Sequence, residues 1–282
     1  MKHIVIKRFN LILFITFHLN TYIVFGQSSF MTYNIRNDNT KDKNNCWESR
    51  KSSILKIFKF YSPEIIGTQE GIYNQIKYIE ENLSHYNYIG VGRDDGVKKG
   101  EYTAIFYKKK KLKLISSRSY WLSETPEIVS IGWDASMKRI VTFGEFLNLK
   151  TQESIFIFNC HFDHRGKISR ENSSKLILKL IKSKNIENNK VIVMGDLNCL
   201  PNSKPIEILK SKLEDSHNIS FKEPYGQIGT YNGFDLDRPI KKRIDYIFTK
   251  NIKVMEHIII DDRRDNNLFI SDHLPVMSRI KY

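Results

Sequence analysis

The chain alternates short apolar runs of period two with amphipathic stretches of period about 3.6, and this alternation leaves few folds open. Runs of the first kind occupy residues 29–35, 64–69, 86–91, 102–107, 140–149, 154–161, 191–194, 244–249 and 276–280, and predict strands. Stretches of the second kind occupy 48–60, 73–83 and 168–183, and predict helices. A strand must bury at least one face and a helix one stripe, so such a chain stacks in layers. Hairpin-like spacing in the middle, with helices elsewhere, predicts an α/β fold of sheets packed face to face with helices outside. No repeat, low-complexity stretch or Pro/Gly/Ser-rich linker divides residues 27–282, which read as one domain.

Residues 1–26 read differently. Lys2, Lys7 and Arg8 lead a mostly apolar run from Phe9 to Phe25, and Val24-Phe25-Gly26 offers modest side chains where a signal peptidase reads. Thr16, His18, Asn20 and Thr21 interrupt the run and make it a poor permanent span. A signal peptide over 1–26 is expected, with a secreted or periplasmic location and no stable membrane insertion after its removal. No cysteine follows the run, which argues against a lipid-modified N-terminus.

The net charge is +14, and losing the three cations of the leader leaves it strongly positive. Such a surface attracts polyanions such as nucleic acid, anionic headgroups or phosphorylated glycans, without choosing among them. The lysine run 108–111 follows a strand and suits a solvated turn. Three cysteines are too few for a disulfide scaffold and lack the paired spacing of a structural zinc site. Cys160 and Cys199 have strand parity opposite to their polar neighbours and are expected as buried free thiols, while Cys46 lies in a polar loop.

The chemistry lies where polar side chains end the apolar runs. One run ends in Asn34, another in Glu70 and a third in His161 and Asp163. A fourth ends in Asp196 and Asn198, whose period-two spacing puts both on one face. Arg243-Ile-Asp245 opens a strand, and Ser271-Asp272-His273 precedes the last one. Taken singly, a strand-end aspartate is more often a turn or helix cap. Taken together, such groups are costly to bury unless paired or bound to metal. They supply hard oxygen ligands and an acid–base pair. The chain has no serine elbow, no phosphate-cradling glycine loop and no zinc-type His/Cys spacing. What these side chains suit is metal-assisted attack of water on phosphorus.

In chain order the motifs are Tyr33-Asn34, Thr68-Gln69-Glu70, Asn159-Cys160-His161, Gly195-Asp196-Leu197-Asn198, Arg243-Ile244-Asp245-Tyr246 and Ser271-Asp272-His273. This series resembles the endonuclease/exonuclease/phosphatase superfamily, which includes deoxyribonucleases, abasic-site endonucleases, neutral sphingomyelinases, inositol polyphosphate phosphatases and deadenylases. It spans almost all of the chain after the leader. Met31-Thr-Tyr-Asn-Ile-Arg36, Gly90-Val-Gly-Arg-Asp-Asp-Gly96, Trp121-Leu-Ser-Glu-Thr-Pro126, Gly132-Trp-Asp134 and His161-Phe-Asp-His164 are similar to an exported bacterial group within it. Trp121 and Trp133 suit either core packing or the wall of a substrate cleft.

The resemblance implies a four-layered α/β sandwich, with two packed mixed β-sheets flanked by helices and the site at one end. It implies Glu70 as the main Mg²⁺ ligand, Asn34 beside it and Asp272 helping to hold the ion, with Mn²⁺ as the alternative. Asp196 would orient or deprotonate the attacking water, and Asn198 would contact a phosphate oxygen. His273 and Asp245 would bind or protonate the phosphate. His161 would be the second histidine, paired with Glu101 as in the deoxyribonucleases. A carboxylate beside each imidazole should fix its tautomer and favour its charged form. Arg139 and Arg165 are candidates for phosphate contacts through their forked donors, and Asp163 and His164 would shape their loop.

The function this implies is an exported, monomeric phosphoesterase that hydrolyses a phosphodiester or phosphomonoester by metal-assisted in-line attack of water. Nucleic acid and smaller phosphate compounds both stand as substrates. No basic-aromatic segment marks a nuclease, and no long apolar loop marks insertion into a membrane surface. The reading from another class is a binding protein that keeps the fold and has lost catalysis. Intact Asn34, Glu70, Asp196, Asn198, Asp245, Asp272 and His273 argue against it.

Overall fold

The computed structural model describes residues 27–281, so the expected signal peptide lies outside the described residues. Strand β1 (Gln27–Asn34) leads to α1 (Trp47–Tyr61), β2 (Ile65–Gln69), α2 (Tyr73–Asn82), β3 (Tyr86–Ile89), β4 (Ile105–Lys108) and β5 (Leu112–Trp121). A hairpin of β6 (Ile140–Asn148) and β7 (Ser154–His161) precedes α3 (Lys167–Ser183) and β8 (Lys190–Asp196). Then come α4 (Lys204–Lys210), β9 (Glu214–Asp215), α5 (Ser216–Ile219) and β10 (Tyr225–Gly226). The last strands are β11 (Asp245–Lys250), β12 (Lys253–Ile259) and β13 (Val276–Lys281). Among the described residues no helix is long and apolar enough to cross a membrane.

Seven strands form one sheet in the order β10-β12-β13-β1-β2-β4-β3, and six form another in the order β5-β6-β7-β8-β11-β9. Both are mixed, because β1–β2 and β7–β8 are parallel while most neighbours are antiparallel. Alternation along each strand sorts its side chains into separate layers. Phe30, Ile65 and Ile105 pack against Ile157, Met194 and Ile247 between the sheets. Their neighbours Met31, Ile66 and Phe106 face outward onto α1 and α2, meeting Ile54, Phe58 and Ile76. Phe158, Val193 and Phe248 face the other way, onto Ile177 and Leu180 of α3 and Leu209 of α4. Three apolar layers therefore separate four layers of backbone, the sandwich expected from the sequence. Cys160 and Cys199 lie in one of these layers as buried free thiols.

Besides the very short β9, β10 and α5, the elements β5, β12 and α4 escaped the sequence pattern. β5 is an edge strand with an exposed middle and a register shift between Leu114 and Ser116, so its apolar alternation is broken. β12 has a shift between Val254 and Glu256, and its buried His257 meets Ser216 Oγ through Nδ1 at 2.9 Å. α4 is too short to show a period, although Pro205 and Ile206 mark its start.

The topology gathers distant residues at one edge. Parallel β1 and β2 end there, and so do parallel β7 and β8. Antiparallel β11 starts there, with Asp245 opposite Asp196, and β13 starts beside the end of β1. Buried Arg50 ties down the loops on the β1 side, donating to Ile35 O at 2.8 Å and Ile270 O at 3.1 Å. Gly195 has φ 145°, and a Cβ there would meet Cys160 O at 1.9 Å, so the turn into Asp196 requires glycine.

Candidate active site

Asn34 ends β1 fully buried, and its amide nitrogen donates to Glu70 Oε1 and Asp196 Oδ2, both at 3.0 Å. Its oxygen accepts from Arg36 N at 3.0 Å. In this structure Asn34 therefore positions the two carboxylates through its nitrogen, while its oxygen accepts a single backbone hydrogen bond. Glu70, in the left-handed region just past β2, also accepts from Asn37 N at 3.2 Å. Arg36 clamps Asp42 with two bonds of 2.9 and 3.0 Å. Its third nitrogen lies 3.7 Å from Glu70 Oε2 and 3.8 Å from Asp272 Oδ2.

On the other side, His273 Nδ1 bonds Asp245 Oδ2 at 2.8 Å, and its Nε2 lies 3.7 Å from Asp196 Oδ2. Burial alone would push the imidazole down, but the charges of Asp245 and Asp196 outweigh it and hold His273 well above the usual histidine range. This is the His–Asp pair expected from the sequence. Burial, with the charge of Asp245 added, pushes Asp196 up to about 7, against the opposing pull of His273. Burial, with the charge of Glu70 added, likewise pushes Asp272 up to about 6. Glu70 pays the same desolvation, yet Asn34, His273 and Arg36 hold it below the usual carboxylate range.

His161 departs from expectation. Arg139 Nη1 lies 3.1 Å from both its ring nitrogens, while Glu101 Oε2 is 3.9 Å away, beyond hydrogen-bond reach. Glu101 instead pairs with Arg93 and accepts from Asn37 Nδ2 at 3.2 Å. Burial, followed by the positive charge of Arg139, pushes His161 well below the usual range, which favours the neutral imidazole. Glu101 thus stays near His161 without a hydrogen bond to it, and burial together with the closer Arg139 cation favours the neutral imidazole over the charged form expected from the sequence. The tautomer that fits has Nδ1 accepting from Arg139 and Nε2–H pointing to Asp196 Oδ2, 3.4 Å away. Arg139 is itself fixed by Asp163 at 3.4 Å and His164 at 3.0 Å.

These groups border a cavity of about 510 Å³. Glu70, Glu101, Arg139, His161, Asp196, Asn198, Asp272 and His273 all line it. Asn34 and Asp245 lie buried behind that wall. Asn198 is held in the left-handed region with its amide on Phe162 O at 3.0 Å. Arg165 is exposed and stands outside the lining, its backbone N–H on Asp163 Oδ1. Trp121 is buried, with its indole N–H on Arg93 O at 2.8 Å, which makes it a packing residue. Sequence reasoning missed Arg36, Arg93, Tyr231 and Lys242. Arg36 and Arg93 stood inside motifs quoted for the resemblance, whereas Tyr231 and Lys242 had no local signal.

The donor set fits a hard divalent cation. Half-buried Glu70 and buried Asp272 are carboxylates facing one cationic nitrogen, and oxygen donors of this kind suit Mg²⁺ or Mn²⁺. A second group, Asp196, Asp245 and His273, has donor atoms within 4.8 Å of one another. There, however, His273 Nδ1 is already taken by Asp245, so the pair suits acid–base work better than ligation.

The model of the Endonuclease/Exonuclease/phosphatase family matches residues 31–273. A Bacteroides thetaiotaomicron protein of that family is 34% identical, with a TM-score of 0.87 over 91% of this chain and 98% of that one. A mannosyl-6-phosphatase from Bacteroides thetaiotaomicron is also 34% identical, with a TM-score of 0.86 over 90% of this chain and 100% of that one. An uncharacterised protein of Acanthamoeba polyphaga mimivirus is 33% identical over 161 residues, 54% of this chain and 59% of the viral protein. The chain thus spans about three fifths of that relative's length. The motif order, the two packed sheets and the match over residues 31–273 agree, and the chain belongs to the endonuclease/exonuclease/phosphatase family, whose members hydrolyse phosphate esters.

Proposed function

We propose that the chain is an exported, divalent-metal-dependent phosphatase that removes phosphate from a small phosphorylated molecule such as a sugar phosphate. The observation that carries this reading is that the reactive groups converge on one cavity of about 510 Å³, a size suited to a small ligand. The similarity to a mannosyl-6-phosphatase along that protein's whole length supports it.

The roles follow from geometry. Glu70 and Asp272 would hold the cation, which when bound supplies positive charge to the phosphoryl oxygens. Asp196, ionised above its raised pKa, takes a proton from the water that attacks phosphorus. The bond from phosphorus to the ester oxygen breaks as the water oxygen bonds. His273, kept protonated by Asp245, faces the phosphate with an N–H and returns a proton to the departing alcohol. Neutral His161 holds Asp196 in place, with Arg139 behind it.

The test is phosphate release by residues 27–282 from a hexose monophosphate, bis-p-nitrophenyl phosphate and plasmid DNA, with Mg²⁺, with Mn²⁺ and with EDTA. Turnover of the monoester, abolished by EDTA and by Asp196→Asn, is the expected result. Preferential cleavage of DNA would favour the nuclease reading, which the net charge of +14 supports. N-terminal sequencing of the protein outside the producing cell tests export, with Gln27 expected first.

A further inference from the structure

Beside the catalytic cavity lies a second hollow of about 340 Å³, lined by Tyr231, Asn232, Arg238, Pro239, Lys241 and Lys242. Tyr231 and Lys242 belong to both walls, so the two hollows adjoin. Arg238, Lys241 and Lys242 are exposed and form no ion pair among the described residues. Asp235 accepts from the backbone of Asp237 at 3.1 Å, and neither lines the hollow. Three like charges on one short segment repel one another, and a cleft of one sign concentrates anions.

The segment is also fixed to the catalytic groups. Thr230 Oγ1 accepts from Ile244 N and Asp245 N at 3.0 and 3.1 Å. Asn232 N and Gly233 N donate to Asp272 O at 2.9 and 3.0 Å, and Leu274 N donates to Thr230 O at 2.7 Å. The Tyr231 ring meets His273 edge-on, with centroids 5.1 Å apart. The hollow therefore keeps a set offset from the His273–Asp245 pair, as a specificity site must.

We infer that this hollow is a second anion subsite, and that the preferred substrate is a phosphate ester carrying a second phosphate on the group that departs. The inference rests on the phosphatase reading above. One phosphate reacts against Asp196 and His273, while the other is held by Arg238, Lys241 and Lys242. The guanidinium fork of Arg238 matches two oxygens of a phosphate, and the two ammonium groups add charge.

The experiment compares two probes, glucose phosphorylated on its primary hydroxyl and glucose bisphosphate with a further phosphate on the anomeric oxygen. Phosphate release by residues 27–282 is measured with Mg²⁺ for the wild type and for the double variant Arg238→Gln, Lys241→Gln. The expected result is a kcat/KM ratio favouring the bisphosphate by about tenfold, the factor that one charge-assisted contact supplies, and its collapse toward unity in the variant. Monophosphate turnover with no preference would overturn the subsite and leave the phosphatase reading intact. A preference that survives the double substitution would also overturn it. If neither ester is turned over, the phosphatase reading fails instead. Calorimetric binding of both probes to Asp196→Asn then reads the subsite without catalysis, and equal affinities would overturn it.

Discussion

Arg139 Nη1 stands 3.1 Å from both ring nitrogens of His161, so a cation supports this imidazole where a carboxylate was expected. The two histidines of the site are thereby set in opposite states. His273 beside Asp245 is kept charged, and His161 beside Arg139 is kept neutral. Opposed environments of this kind divide the labour between chemically identical groups.

His161 should therefore remain neutral at pH values where an ordinary histidine is already charged. Replacing Arg139 by Gln removes the positive neighbour and should raise the His161 pKa. Imidazole NMR shifts followed across a pH series check this. An ordinary wild-type titration near pH 6.5 would refute the neutral assignment.

Activity should need Asp196 ionised and His273 protonated. The rate rises with pH through the Asp196 pKa of about 7, a limb that bound cation moves to lower pH, and falls at high pH as His273 loses its proton. Asp245→Asn removes the charge that holds His273 up. It should move the alkaline limb to lower pH and reduce kcat by about 10²–10⁴-fold. A pH profile of kcat/KM for both proteins decides it.

Asp196→Asn should abolish turnover and stabilise the fold at pH 8. An acid whose folded pKa lies above its unfolded value of about 3.9 favours folding at low pH and opposes it as pH climbs toward 7. Removing the charge relieves that opposition, on the order of 1 kcal/mol, or about 2–4 °C in Tm. Calorimetric melting at pH 8 and pH 4 should show the gain at pH 8 only.

Glu70→Gln should weaken Mg²⁺ binding by at least about tenfold, since even outer partners of a metal site contribute that much. Arg36→Gln should have the opposite sign in the absence of substrate, because its guanidinium lies 3.7 and 3.8 Å from the carboxylates that would hold the ion. Isothermal titration with Mg²⁺ alone separates the two effects.

Legibility in the sequence followed locality. Asn34, Glu70, Asp196 and Asp245 each mark the end or start of an apolar run, and a strand end is a local event that two-residue periodicity exposes. The four layers were legible for the same reason, since neighbours such as Phe30 and Met31 alternate between layers. Bulges hid β5 and β12 by breaking that alternation. The partner of His161 was illegible because Arg139 lies in the loop just before β6, the antiparallel neighbour of β7, and nothing in its own segment tells which imidazole it meets. Tyr231 and Lys242 reach the site from a loop without periodicity.

The bond between His273 and Asp245 joins the two sheets, since His273 precedes β13 of one and Asp245 opens β11 of the other. Its 2.8 Å length is therefore a caliper reading of the interlayer gap, which Phe30, Ile157, Met194 and Ile247 set from within. A methylene trimmed from that inner layer should therefore disturb this pair as well as lower stability. The hydrophobic interior thus acts as the spacer that brings the imidazole of one sheet to the carboxylate of the other.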